Sequence, residues 1–287
     1  MTNKVYIHNQ ESTKKIIIRY LICLLPLILY GIYKNGFLLY SKDFISIFSI
    51  LKVIYLILIS LGIYIISNII FKKKDFWSLD LLYVIIIPLF MPENINYLIY
   101  ALGLFASFIL SNFLLRKFTF NKVAFCKLFI ILLLVLFNMY SYENPAESLN
   151  IYSLNFWDLL WGRNIGGIAS TNIILSLGIL LLFSVFNNYK KLCTYISLAT
   201  YLLLAFFLSG FDVTVFLNSS AICGLILLNA DLYSTPHNKL AMIIYGFLAG
   251  ILTFLFTTYL NVNEGVFIAI LILSFFTPTL DKIVEKW

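Results

Sequence analysis

Charge is what this chain has least of. Asp, Glu, Lys and Arg make up 11% of its 287 residues, against roughly 25% in soluble globular domains. That excludes a water-soluble domain of this size. Apolar residues reach 62%, and many windows lack charge over about 18 residues or more, the length of a helix that crosses about 30 Å of hydrocarbon. The alternation that marks a transmembrane barrel is also missing. Continuous blocks such as LFIILLLVLF (128–137) stand in its place. No small-x-small cleavage site follows the apolar run Ile16–Tyr33, so that run reads as a first membrane helix and not as a removed leader. The four cysteines, Cys23, Cys126, Cys193 and Cys223, form no C-x-x-C pair. A zinc site or a structural disulfide is therefore not expected, and buried free thiols are. Phosphate-binding loops, metal motifs and nucleophile–base pairs are absent too, so no catalytic residue and no metal site is assigned.

What remains is an all-α integral membrane protein. Apolar segments fall near 15–33, 44–71, 78–91, 95–115, 122–140, 165–187, 192–210, 214–230, 240–260 and 264–281. The net charge of +7 is explained by where the cations lie, without a nucleic-acid partner. With the N-terminus placed in the cytoplasm, Lys4, Lys14, Lys15, Lys72, Lys73, Lys74, Arg116, Lys117, Lys122, Lys190, Lys191, Lys239, Lys282 and Lys286 fall inside. Only Lys34, Lys42 and Arg163 fall outside, among acids that include Glu93, Glu143, Glu147, Asp158 and Glu264. Lys and Arg prefer cytoplasmic loops. The expectation is ten spans in the cell membrane, with both termini cytoplasmic and the lipid bilayer as the solvent.

The third and eighth segments are short, and each runs into a proline. MPENINYLIYALG (91–103) and TPHNKLAMIIYGFLAG (235–250) share Pro-x-Asn, an Ile-Tyr pair and a following glycine. Five spans separate them, so the second copy would be inverted. Two readings stand: chance similarity, or two inverted five-helix repeats whose broken helices meet near the midplane around a ligand. The second divides the chain into 1–140, an external loop 141–164, and 165–287. It also predicts that 78–94 and 219–238 face one central cavity, with Asp80 and Asp231 within or beside them.

Three stretches together carry a family resemblance. GRNIGGIASTNIILSLGILLLF (162–183), SSAICGLILLNADLYSTPHNKLAMIIYGFLAG (219–250) and NEGVFIAILILSFFTPTLDK (263–282) resemble, in order and spacing, segments of the D subunit of the Rnf electron-transport complex and of the B subunit of the sodium-translocating NADH:quinone oxidoreductase. LDLLYVIIIPLFMP (79–92) is similar to the family's short third helix, and FNKVA (120–124) stands where F-N-P-A is usual. The resemblance implies an integral subunit of a membrane redox complex, with other integral subunits as partners and electron flow coupled to ion movement. No part of the chain is a soluble domain for NADH or ferredoxin, so electrons would arrive from another subunit. The alternative on the same fold is a small-solute transporter, flavin included, or a non-catalytic membrane partner.

The resemblance also implies FMN linked to a threonine of an S-G-A-T motif in the loop between the fifth and sixth spans. SYENPAESLNIYSLNFWDLLWGRN (141–164) contains no threonine. Glu147 cannot form the usual phosphoester bond, and Ser148 has the wrong neighbours. Covalent FMN is therefore not expected. FMN or riboflavin held non-covalently, or no flavin at all, is. Ser170 replaces a glutamate, Leu232 a proline, and Ser219–Ser220 a glycine pair.

The cofactor-binding candidates are Gly166, Gly167, Ser170, Thr171, Asp231 and Thr235. Gly166 and Gly167 are read as opening the sixth helix, where free N–H groups favour a flavin phosphate; close helix packing is the other reading. Asp231 either borders a ligand cavity, where a carboxylate needs a partner or water, or caps the next helix and pairs with Lys239. His237 reads as a loop residue. Trp157 and Trp161 read as interfacial aromatics, with stacking on a flavin ring as the lesser reading.

Overall fold

The computed structural model describes residues 12–41, 43, 45–73, 75–114, 118–141, 155–164, 166–186, 189–210, 212–229, 231–260 and 263–285. Among them, ten helices have ten residues or more: α1 (Thr13–Ile32), α2 (Lys52–Ile70), α3 (Leu79–Leu89), α4 (Tyr97–Leu114), α5 (Lys122–Leu136), α6 (Ile173–Ser184), α7 (Lys191–Leu208), α8 (Ser219–Leu228), α9 (Lys239–Phe254) and α10 (Gly265–Val284). π turns extend α1 through Tyr33–Phe37 and α9 through Leu255–Tyr259. With such extensions, six stretches are long and apolar enough to cross a membrane: Thr13–Tyr40, Ile47–Ile70, Tyr97–Leu114, Lys191–Leu208, Lys239–Tyr259 and Gly265–Val284. Leu79–Leu89, Ile173–Ser184 and Val213–Leu228 are apolar but shorter.

Asparagine starts four of these helices, α5, α6, α8 and α9. Its side-chain oxygen accepts from an orphan N–H of the first turn: Asn121 from Ala124, Asn172 from Leu175, Asn218 from Ala221 and Asn238 from Leu240. The first copy of the Pro-x-Asn echo departs from this. There Asn96, not Asn94, accepts from the Leu98 N–H at 2.9 Å. The asparagines of the two Pro-x-Asn triplets are therefore not equivalent.

α3 and α8 form the centre. Every residue from Leu81 to Leu89 is buried, as is every residue from Ala221 to Leu228. The longer helices wrap them and turn large apolar side chains outward, among them Leu29, Phe48, Leu98 and Phe207. Within the first half, α1 and α2 pack on α3, α2 on α4, α4 on α5, and α3 on α5. The second half repeats this: α6 and α7 pack on α8, α7 on α9, α9 on α10, and α8 on α10. Across the halves, α1 meets α6 and α5 meets α10.

Helix contacts in a bilayer rely on small residues that let backbones approach. Gly246 and Gly250 face α7, and a Cβ at either would lie 2.6 Å from a backbone oxygen, Cys193 O or Ser197 O. Gly62 on α2 has nothing within 4 Å of that position. Gly250→Leu should therefore cost about 1–3 kcal/mol, the usual range for overpacking, and lower the thermal midpoint in detergent. Gly62→Leu should leave the midpoint unchanged.

Candidate functional site

α3 stops short because Pro92 follows Met91, and the residue before a proline is driven out of helical geometry. The carbonyls left at its end are met by a second chain segment. The Ile168 N–H donates to Met91 O and the Ala169 N–H to Leu89 O, both at 2.9 Å, and Pro92 pairs with Gly167 in an isolated antiparallel bridge. This corrects the expectation for 166–171. Gly166 and Gly167 do not open a helix: the sixth helix begins at Ile173 behind its Asn172 cap. A Cβ at Gly167 would lie 3.0 Å from the Phe90 backbone and 2.5 Å from Ser170 Oγ. The glycine serves protein-to-protein approach, and Ile168 and Ala169 spend their N–H groups on α3, not on a phosphate.

Charges gather at this end of α3. Lys34 Nζ donates to Asn164 O at 2.6 Å and to Thr171 Oγ1 at 3.3 Å, and lies 3.2 Å from Glu93 Oε1. Lys127, from the middle of α5, pairs with Glu264 and stands 3.7 Å from the Phe267 ring centroid. At the start of α3, Asp80 pairs with Lys73 at 2.5 Å and Lys122 at 2.8 Å. Lys34, Lys122 and Lys127 are all about 1% exposed. Such residues inside a bundle are costly and need partners, and each has an acid. Lys34, Glu93, Lys122 and Glu264 are thus interior residues, not loop charges.

Asp231 anchors a second centre. Its Oδ1 accepts from Tyr83 Oη at 2.6 Å and from the Tyr233 N–H at 3.1 Å, and its Oδ2 accepts from Ser234 Oγ at 2.5 Å. Asn121 Nδ2 donates to Ser234 Oγ and Leu228 O, each at 3.1 Å. Thr235 Oγ1 donates to Asp231 O at 2.5 Å. The cap reading of Asp231 is overturned, because Asn238 caps α9 and Asp231 instead ties the end of α8 to α3 and α5. Asp281 holds the loop beyond it, accepting from the His237 and Asn238 N–H groups at 3.1 and 3.2 Å. Burial, with Lys190 nearby, holds the His237 imidazole below its ordinary pKa.

The sequence candidates therefore separate. Gly166, Gly167, Ser170 and Thr171 gather at the end of α3. Asp231 and Thr235 lie at the end of α8. Between α3 and α8 the described residues line a shared cavity, with Tyr83, Ile86, Leu227, Asp231, Tyr20 and Asn121 on its wall and a volume of about 20 Å³. That admits about one water and no flavin. A larger pocket of about 480 Å³ opens beside α1, lined by Tyr30, Tyr33, Lys34, Trp157, Trp161, Arg163 and Asn172. Glu147 and Ser148 lie outside the described residues. Tyr83, Lys190 and Lys127 were missed from sequence. Only Lys127 carried a signal there, as a cation inside an apolar run.

The NQR2, RnfD, RnfE family model matches residues 1–287. Comparison with curated proteins finds no match. The six long apolar stretches and the family match together make the chain a multi-pass membrane protein.

Two outcomes follow from the Asp231 centre. Asp231→Ala strands the Tyr83 and Ser234 hydroxyls in the interior, and should cost about 1–3 kcal/mol for the buried donors left unpaired; Asp231→Asn should cost less. Lys190 Nζ donates to Leu232 O at 3.2 Å and to Thr235 O, and burial lowers its pKa from 10.5 to about 8 against the opposing pull of Asp231. Between about pH 8 and 10.5 the unfolded lysine binds more protons than the folded one, so this group makes stability rise with pH across that window. The thermal midpoint of Lys190→Met should rise less between pH 7.5 and 10 than that of the parent, each pH being compared variant against parent.

Proposed function

Because the chain belongs to the NQR2, RnfD, RnfE family, we propose that it is an integral subunit of a membrane electron-transport complex whose electron flow is coupled to ion movement, partnered by other integral subunits. The full-length family match carries this reading. Ten crossings, two inverted five-helix repeats (1–140 and 165–287 about the loop 141–164) and cytoplasmic termini belong to the proposal. The matching contacts of α1–α5 and α6–α10, with α1 on α6 and α5 on α10, support the repeat. The Lys/Arg bias of the sequence supports the orientation.

We place a non-covalent FMN or riboflavin in the 480 Å³ pocket. Its volume suits a cofactor. Tyr30, Tyr33, Trp157 and Trp161 offer aromatic faces, and Arg163, partly neutralised by Asp158 at 3.6 Å, offers a cation. A flavin there would supply a centre that accepts one or two electrons.

Purified protein should show flavin absorbance that denaturation releases, with no fluorescent band on a denaturing gel. Trp161→Ala should lower the flavin retained several-fold. A fluorescent band lost in Ser148→Ala would restore covalent attachment, and absence of flavin would favour the transporter or non-catalytic partner. Orientation is checked by an impermeant thiol reagent on single-cysteine variants: it should label Ser148→Cys and spare Lys73→Cys, and the reverse would overturn the topology.

A further inference from the structure

A third pocket lies beside the α3 end. It has a volume of about 240 Å³ and is lined by Asn35, Ser49, Lys52, Glu93, Tyr97 and Ile168 among others. That is room for roughly eight waters.

Two buried side chains on its wall have acceptors with nothing to accept. Asn35, 7% exposed, uses its Nδ2 on Ile168 O at 2.5 Å, and its Oδ1 has no donor among the described residues. Glu93, 6% exposed, sets Oε1 against Lys34, while Oε2 has no donor among them. Unpaired buried acceptors cost about 1–3 kcal/mol each, so this wall calls for N–H or O–H donors. The charge balance points the other way. Among the described residues that line the pocket or pair with its wall, Lys34 and Lys52 both face the carboxylate of Glu93, two cations to one acid. Lys52 Nζ donates to Glu93 O, and an ammonium has three donors. A bare cation would satisfy the acceptors and worsen the excess charge; a bare anion would do the reverse. A ligand with an ammonium and an anion a few bonds apart answers both.

The rim says what else that ligand carries. Beside the lining residues Ser49 and Tyr97, the chain turns Ile47, Phe48 and Leu98 outward, at 58%, 75% and 66% exposure. These begin two of the long apolar stretches, Ile47–Ile70 and Tyr97–Leu114. The pocket therefore opens where a span meets the headgroup layer, with apolar surface running from its mouth into the bilayer.

We propose that this pocket binds a phospholipid with a primary-ammonium headgroup, Glu93 and Asn35 accepting from the ammonium and Lys52 pairing with the phosphate. The assignment does not depend on the redox reading.

The full-length protein in nanodiscs of mixed composition tests it by native mass spectrometry. Phosphatidylethanolamine should be retained about tenfold over phosphatidylcholine, whose headgroup is also zwitterionic but has no N–H, the order of one charge-assisted hydrogen bond. It should also be retained over phosphatidylglycerol, which has no ammonium. Lys52→Gln and Asn35→Leu should each reduce that preference several-fold. The lipid comparison needs no variant, so it stands even if one fails to fold. Equal retention of the ethanolamine and choline lipids overturns the proposal, as does preference for the glycerol lipid. If soluble phosphoethanolamine displaces the lipid at equal concentration, the occupant is a free zwitterion and the lipid assignment falls.

Discussion

Two hydrogen bonds, from the Ile168 and Ala169 N–H groups to Met91 and Leu89, allow a helix to end in the interior of this protein. In hydrocarbon there is no water to meet the last carbonyls of a broken helix, so non-helical backbone is tolerated only where protein covers it or a wet cavity lies beside it. Here residues 167–169, from the second half of the chain, supply that cover. The halves are thus joined by backbone pairing as well as by helix packing. Gly167 sits at the closest approach because any side chain would strike Phe90.

The same constraint organises the charges. A lysine in the interior persists beside an acid or, like Lys190, on backbone carbonyls. Lys34 has Glu93, Lys122 has Asp80, and Lys127 has Glu264. Glu93 follows the end of α3 and Asp80 lies in its first turn, so both ends of the shortened helix are marked by ion pairs. Lys127 stands over the Phe267 ring near the α3 end. At the end of α8 the device is different. Asp231 is held by hydroxyls and an N–H group, and Asn121, itself the cap of α5, reaches Ser234 in the same turn. One asparagine therefore starts α5 and helps close the end of α8.

The pockets follow from where this cover is complete. Between α3 and α8, Tyr83 and Asp231 close the space to about one water. Beside the α3 end, where helix termini and loops form the wall together, larger spaces remain. The larger spaces thus lie beside the α3 end and not in the closed centre between α3 and α8.

Composition by itself determined a helical membrane protein, because an 11% charge content cannot cover a water-facing surface. Local pattern located the helices, the shortness of α3 and α8, and the family, since apolar run length and Pro, Gly and Asn punctuation are local properties. Only the tertiary structure decided where the polar residues go. Lys34, Glu93, Lys122 and Glu264 fall at segment ends in sequence, where loop charges are expected, yet each is buried by contacts across the bundle. Asp231 and Lys239 are neighbours in sequence, but the long-range partner of Asp231 is Tyr83, 148 residues away. The glycine pair at 166–167 looked like a helix start because the carbonyls it lies against belong to α3. Burial and hydrogen-bond partnership are long-range properties, and one sequence without its fold does not contain them.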